Sequence, residues 1–222
     1  MQAKFNFLPI LNFLDNLSQN NVKPWFDTNR ADYEAARAIF NEFIDYLIDE
    51  LRTSDNLQGL SAKECVTRIY RDIRFTHDKS PYHTNISAII APGGKKSVTQ
   101  GYYVSIEPHG RSMIAGGLHM PSPEQLDRFR QTIVRHAEEF KVITANPAFV
   151  AQFGKVEGER LKTAPKGYDR AHPEIELLQL KEVTAFHHFP DQEVLAAEFP
   201  QHVLAGCHAM KPFVDYLNEV IQ

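Results

Sequence analysis

The hydrophobic period of this chain changes twice. Up to Leu51 apolar side chains recur at three- and four-residue steps. From Glu64 to Leu118 they alternate or cluster in short β-branched runs, and from Ser122 onward helical spacing mostly returns. A chain with strands gathered in its middle and helices at its ends joins those strands by hairpins. It lacks the strand-helix-strand alternation that a parallel sheet requires. The expected fold class is therefore α+β, a mainly antiparallel central sheet packed and bracketed by helices.

Local signals refine this reading. Ile10, Leu11, Leu14 and Leu17 form one stripe of a first helix, which Asn20-Asn21 breaks, and Pro24 suits the first turn of a short second helix. Tyr33, Arg37, Phe40, Ile44, Leu47 and Leu51 mark the buried stripe of a long helix over Asn29–Leu51. Strands are expected at Glu64–Phe75, Ile86–Ala91, Gly101–Glu107 and Ser112–Leu118. The turn Pro108-His109-Gly110 should join the last two. The long helix should pack on a sheet built from the first, third and fourth of these strands. Ser122, Pro123 and Gln125 carry the signature of a helix start, with that helix running to about Glu139. Short helices are expected at Asn146-Pro147, from His172-Pro173 through Leu178, and after an Asp191 cap. Glu182–Phe189 reads as a strand, and Pro200–Ile221 closes the chain as a helix.

The length of 222 residues, 43% of them hydrophobic and 23% charged, suits one globular domain over residues 1–222 without repeats or a linker. A chain of this size buries roughly 70–75% of its unfolded surface and needs no covalent staples. Asp15 interrupts the apolar N-terminal stretch before any small-residue cleavage site. No run approaches the roughly 20 apolar residues of a membrane span, so neither a signal peptide nor a membrane partner is expected. Cys65 and Cys207, the only cysteines, make no disulfide framework and point to a reducing, cytoplasmic compartment. The net charge of −4 disfavours a dedicated nucleic-acid binder, but its distribution is uneven. The first 62 residues sum to −4, residues 63–173 to +6 and residues 174–222 to −6. That pattern suggests an electropositive site held between helical elements, although a mixed solvated surface would give the same counts.

Two segments carry most of this basic character. In Arg68-Ile69-Tyr70-Arg71-Asp72-Ile73-Arg74-Phe75, a strand would turn Cys65, Ile69, Ile73 and Phe75 to the core. Arg68, Tyr70, Asp72 and Arg74 would then share the other face. Guanidinium forks suit carboxylate or phosphate, and Asp72 is placed to orient one of them. The following turn, Asp78-Lys79-Ser80-Pro81-Tyr82, would set Lys79 and Tyr82 beside that face. The second segment is Leu161-Lys162, then Pro165-Lys166-Gly167-Tyr168-Asp169, where Gly167 suits a positive φ. The plain alternatives are a polar strand face laced by Arg–Asp pairs and a surface turn with solvated lysines. Trp25, the only tryptophan, is expected to anchor the packing of the first two helices. Arg30 opposes the helix dipole and should be held by a carboxylate or by the site.

Together these segments resemble a conserved hypothetical bacterial family of the domain-of-unknown-function type. Asn20-Asn21, Trp25-Phe26, Asn29-Arg30, Tyr33 and His172-Pro173 belong to the same pattern, which spans the chain from Leu8 to about Phe213. The resemblance implies a single α+β domain in which the marked residues belong together, and it implies no activity. It also implies lysine where this chain has His77 and His83, so neither histidine is expected to be essential.

Other chemistries lack support. Neither His-Glu-x-x-His nor Cys-x-x-Cys occurs, no histidine pair has ligand spacing, and no metal or cofactor is expected. There is no Gly-x-Ser-x-Gly, dinucleotide fingerprint or P-loop, and Cys207 on an apolar helix stripe reads as an inert thiol. The leading expectation is a basic pocket for a small anionic ligand, phosphorylated or carboxylated. Arg68, Arg71, Arg74, Lys79, Lys162, Lys166 and Tyr168 would bind it, with Asp72, Tyr70 and Tyr82 as orienting or proton-transfer groups. The two segments should then meet. The competing expectation is a non-catalytic module that docks a partner protein or nucleic acid on the same basic face.

Overall fold

Residues 5–221 are described by the computed structural model. In chain order the elements are α1 (Leu8–Gln19), α2 (Lys23–Thr28), α3 (Arg30–Leu51), α4 (Ala62–Cys65), β1 (Ile86–Ile90), β2 (Tyr102–Ile106) and β3 (Ser112–Leu118). They continue with α5 (Pro123–Thr144), α6 (Pro147–Phe153), α7 (Ile175–Leu178), β4 (Val183–Phe189), α8 (Asp191–Val194) and α9 (Phe199–Ile221). The strands form one antiparallel sheet in the order β1-β2-β3-β4, the α+β arrangement that the change of period demands. In the β1–β2 ladder Ile86 lies opposite Ile106, Ala88 opposite Val104 and Ile90 opposite Tyr102.

The chain forms two compact units. One takes the residues up to Val98 with Tyr102–Ile114 and His188–Ala205, and the other takes Thr99–Gly101, Ala115–His187 and the residues from Gly206 on.

In the first unit, Ile10, Leu11, Phe13, Leu14 and Leu17 of α1 are buried, and α3 packs against both α1 and β1. Edge-to-face ring contacts join Phe7 to Phe43 at 5.0 Å and to Phe199 at 5.1 Å, geometry that suits the ring quadrupoles. His109 (φ 67°) and Gly110 (φ 71°) form the left-handed turn between β2 and β3. The Asp191 carboxylate accepts from both of their backbone N–H groups, at 2.9 and 2.8 Å. It therefore ties down a hairpin and does not cap its own helix, whose N-cap is Pro190.

In the second unit Phe129, Phe140, Phe149 and Phe213 are buried together. A Cβ on Gly117 (φ 115°) would lie 2.2 Å from the Val183 carbonyl, so this strand approach needs glycine. Helix α5 starts at the expected capping box but continues past Glu139 to Thr144, with a non-helical residue at His136.

One expected strand is absent. Glu64 lies in α4, which Ser61 and Glu64 open with a reciprocal capping box, and only single bridges follow, Val66 to Ala88 and Tyr70 to Tyr82. The alternation holds for Cys65 and Ile69, both buried, but fails at Phe75, which is 91% exposed. After Arg71 the chain leaves the sheet, because short side-chain-to-backbone bonds take over. Asp72 accepts from Arg74 N–H at 3.2 Å and Asp78 from Ser80 N–H at 2.9 Å.

Candidate anion site

The basic motif is built as a small clamp in the first unit. Thr67 N–H donates to the Ser87 carbonyl at 2.9 Å, holding the segment on β1. Further on, His83 N–H donates to Ile69 O at 2.8 Å and Arg71 N–H to Pro81 O at 2.9 Å, so 69–71 pairs with 81–83 across the loop 72–80. Asn21, at the break after α1, supplies a third partner. Its carboxamide donates to Tyr82 O at 2.9 Å and accepts from Tyr82 N–H at 3.1 Å.

Aromatic contacts fix the clamp to α2. The Tyr82 ring is buried and stacks on Phe26 at 4.1 Å, with the planes 11° apart, and Tyr70 lies 5.4 Å from Tyr82. Burial raises the Tyr82 hydroxyl above its ordinary pKa, so it remains protonated at neutral pH. Arg30 lies against the Tyr70 hydroxyl and donates to Asp27 at 3.2 Å, and these two contacts raise its pKa. The unfavourable helix-start arginine is thus held by a carboxylate, as its position requires.

The cations differ in what holds them. Arg74 forks onto Asp72 through Nε (2.9 Å) and Nη2 (2.6 Å), which keeps the Asp72 carboxyl below its usual range. Arg71 donates to Asp78 and to the Ser80 carbonyl. Asp78 is pushed down to about 2, first by the Ser80 hydroxyl, then by the Ser80 N–H and Arg71. Lys79 reaches only the Ile73 carbonyl, at 2.9 Å. Arg68, among the described residues, makes no hydrogen bond or ion pair.

Arg68 and Arg37 line one narrow notch of about 10 Å³, room for a single water, beside Asn85. Arg37 donates to the Tyr33 hydroxyl at 3.0 Å and has no carboxylate partner among the described residues. Asn85 also borders, with Arg71, His83, Ser80, Asn21 and Asp78, a hollow of about 230 Å³, in which Asp78 is already paired with Arg71. Asn85 itself is oriented by donating to Tyr103 Oη (3.1 Å) and Ser105 Oγ (2.8 Å). His83 is held below its ordinary pKa, first by burial and then by the positive charges of Arg71 and Arg68. Of the expected site residues, the clamp thus gathers Arg68 and Arg71, pairs Asp72 with Arg74, and stacks Tyr70 near Tyr82. Arg37 and Asn85 were not singled out by motif. The available signal was an arginine on an otherwise apolar stripe of α3.

Lys162, Lys166 and Tyr168 belong to the second unit. Both lysines are exposed and unpartnered among the described residues. Gly167 has the positive φ, 89°, and the turn closes with Tyr168 N–H donating to Pro165 O at 3.1 Å. The Tyr168 hydroxyl meets Asp127 at 3.3 Å and is raised above its ordinary pKa, first by burial and then by that carboxylate. This unit also holds a depression of about 500 Å³ at the α5 break, bordered by His136 and His172. Two of its bordering carboxylates, Glu138 and Glu174, are each paired with Lys141 at 2.8 Å. Among the described residues no cluster of three or more His, Cys, Asp or Glu could hold a metal ion. Among the same residues no helix is long and apolar enough to cross a membrane.

Neither a curated protein nor a solved structure matches the chain. The model of the conserved hypothetical protein family DUF2461 matches residues 9–216, and the chain belongs to that family.

Proposed function

We propose that the protein binds a small anion, phosphorylated or carboxylated, in the hollow of about 230 Å³ bordered by Arg71, His83 and Asn85, with Arg68 and Arg37 in the narrow notch beside it. One observation carries this reading: two arginines line one notch and neither has a carboxylate partner among the described residues. Like charges held together are unfavourable unless something of opposite sign joins them. A guanidinium fork fits a carboxylate or phosphate with two parallel hydrogen bonds.

The proposed role is binding. Tyr82 is locked in a stack and stays protonated, and Asp72 is held as a carboxylate by Arg74, so neither is tuned to exchange protons near pH 7. A cytoplasmic location fits this role, and two free cysteines suit a reducing compartment.

A thermal-shift screen of phosphorylated and carboxylated metabolites tests the proposal. A ligand at 100 times its dissociation constant should stabilise the protein by about 2.7 kcal/mol. Arg68→Ala and Arg37→Gln should each remove that shift, whereas Lys63→Ala, an exposed cation outside the notch, should not. Equal loss in all three variants would mean a diffuse charge effect and would end the proposal.

A second reading rests on Phe75, 91% exposed with the Arg74 guanidinium 5.6 Å from its ring centroid. An exposed aromatic beside a cation at a loop tip suits a partner protein's surface. It would be favoured if Phe75→Ala abolished a purified complex while small-anion binding persisted.

A further inference from the structure

A second concavity in the first unit has the opposite chemistry. It is a groove of about 310 Å³ between α1, α2 and the start of α3. Its apolar floor is Phe13, which is buried, and Trp25, which is half-buried with its ring 6.0 Å from that of Phe13. The expected role of Trp25 as an anchor of the first two helices is therefore only half of its environment, since part of it faces the groove. The walls are four amides and one carboxylate: Asn6, Asn12 and Asn16 from the α1 side, Asn29 and Asp32 from the start of α3.

The hydrogen-bonding capacity left in these walls is specific. Among the described residues, the Asn12, Asn16 and Asp32 side chains have no hydrogen-bond partner. Asn29 uses its amino group on the Trp25 carbonyl at 2.8 Å, which leaves its carbonyl oxygen as an acceptor. Asn6 accepts from Leu8 N–H at 3.1 Å, which leaves its amino group as a donor. Asn12 and Asn16 are one helical turn apart, so their carboxamides lie side by side, each with donors and an acceptor. No lysine or arginine borders the groove, and Asp32 is its one charge.

We propose that this groove binds an uncharged carbohydrate. Adjacent hydroxyls on a sugar are each both donor and acceptor, which is the pattern that paired carboxamides and a carboxylate complement. The flat C–H face of a sugar ring carries partial positive charge and suits the negative face of the Trp25 indole. An anion is disfavoured because the groove offers no cation and one carboxylate. A quaternary ammonium ion would use the indole and Asp32 but leave the donors of Asn6, Asn12 and Asn16 unused. The site is independent of the anion notch, with which it shares no residue.

Trp25 is the only tryptophan, so emission excited beyond the absorption of the tyrosines reports on the surroundings of this one residue, the groove among them. The experiment titrates the full chain with neutral gluco-, manno- and chito-oligosaccharides up to about 10 mM, the range in which shallow sugar sites bind. A saturable emission change with at least one of them is expected, unaltered by Arg68→Ala. In the double variant Asn12→Ala/Asn16→Ala the affinity should fall by about tenfold, the loss expected for two hydrogen-bonding side chains. Both positions are exposed on α1 and alanine favours helix, so this variant should keep its circular dichroism and melting point. The proposal is overturned if no oligosaccharide saturates the signal. It also fails if the double variant responds like the parent, or if tetramethylammonium saturates the signal where sugars do not.

Discussion

Asn21 acts as a strand partner made from one side chain, since it satisfies both the N–H and the carbonyl of Tyr82. Removing it would leave two half-buried backbone groups unpaired, and an unmade hydrogen bond of that kind costs about 1–3 kcal/mol. Asn21→Ala should lower stability by that amount in urea unfolding, and an unchanged midpoint would show that water replaces the carboxamide without cost. His83 gives a second test at this scale. Its folded pKa is depressed, so in falling pH the unfolded chain takes up the proton first. Stability from this group is complete above the ordinary histidine value and declines as pH drops from there toward the folded value. A bound anion offsets the field of Arg68 and Arg71 and should therefore raise the His83 pKa. Proton NMR titration with and without sulfate should show that rise in the parent and not in Arg68→Ala. A sulfate effect of equal size in both proteins would refute the arrangement of charges described above.

At the scale of elements, the segment 64–80 separates what was legible in the sequence from what was not. Helix stripes, the hairpin turn at His109-Gly110 and the Ser122 capping box could be read because each depends on neighbours within a few residues. The strand over Glu64–Phe75 misled because alternation persists in the residues after the backbone has left the sheet. A local signal, Ser61 with Glu64 three residues on, was available and outranks alternation there. The site was half-legible for a related reason. Arg68 and Arg71 stand in a dense motif, whereas Arg37 and Asn85 reach the same place from α3 and the start of β1, a long-range convergence that spacing cannot reveal. Substitution should expose the boundary between sheet and loop. Ile69→Ala, at a residue 4% exposed, should cost about 2–5 kcal/mol as a buried truncation. Phe75→Ser should stay within about 0.5 kcal/mol of the parent, as exposed positions do. Comparable losses at both positions would mean that Phe75 is packed in solution and that the strand reading was right.

At the scale of the molecule, connectivity decides what can fold. Each unit is assembled from three stretches of chain, and the family match runs through both, from residue 9 to 216. The first unit cannot close within the residues up to Val98. That stretch contains α1 to α4 and β1 but lacks β2, whose Tyr102, Val104 and Ile106 lie opposite Ile90, Ala88 and Ile86. It also lacks the Tyr102 hydroxyl that meets Asp55 at 3.1 Å, and Phe199, whose ring lies 5.1 Å from Phe7 and 5.8 Å from Phe43. A fragment ending at Val98 would present β1 as an unpaired apolar edge and leave Phe7 and Phe43 half-covered, a state prone to association through the strand. Expressed alone, this fragment should show no cooperative urea transition and poor amide dispersion, whereas the full chain should show both a sharp transition and good dispersion. A well-dispersed spectrum from the fragment would mean that α1, α3 and β1 hold together without the later stretches, and the anion notch and the Trp25 groove could then be studied on a chain less than half as long.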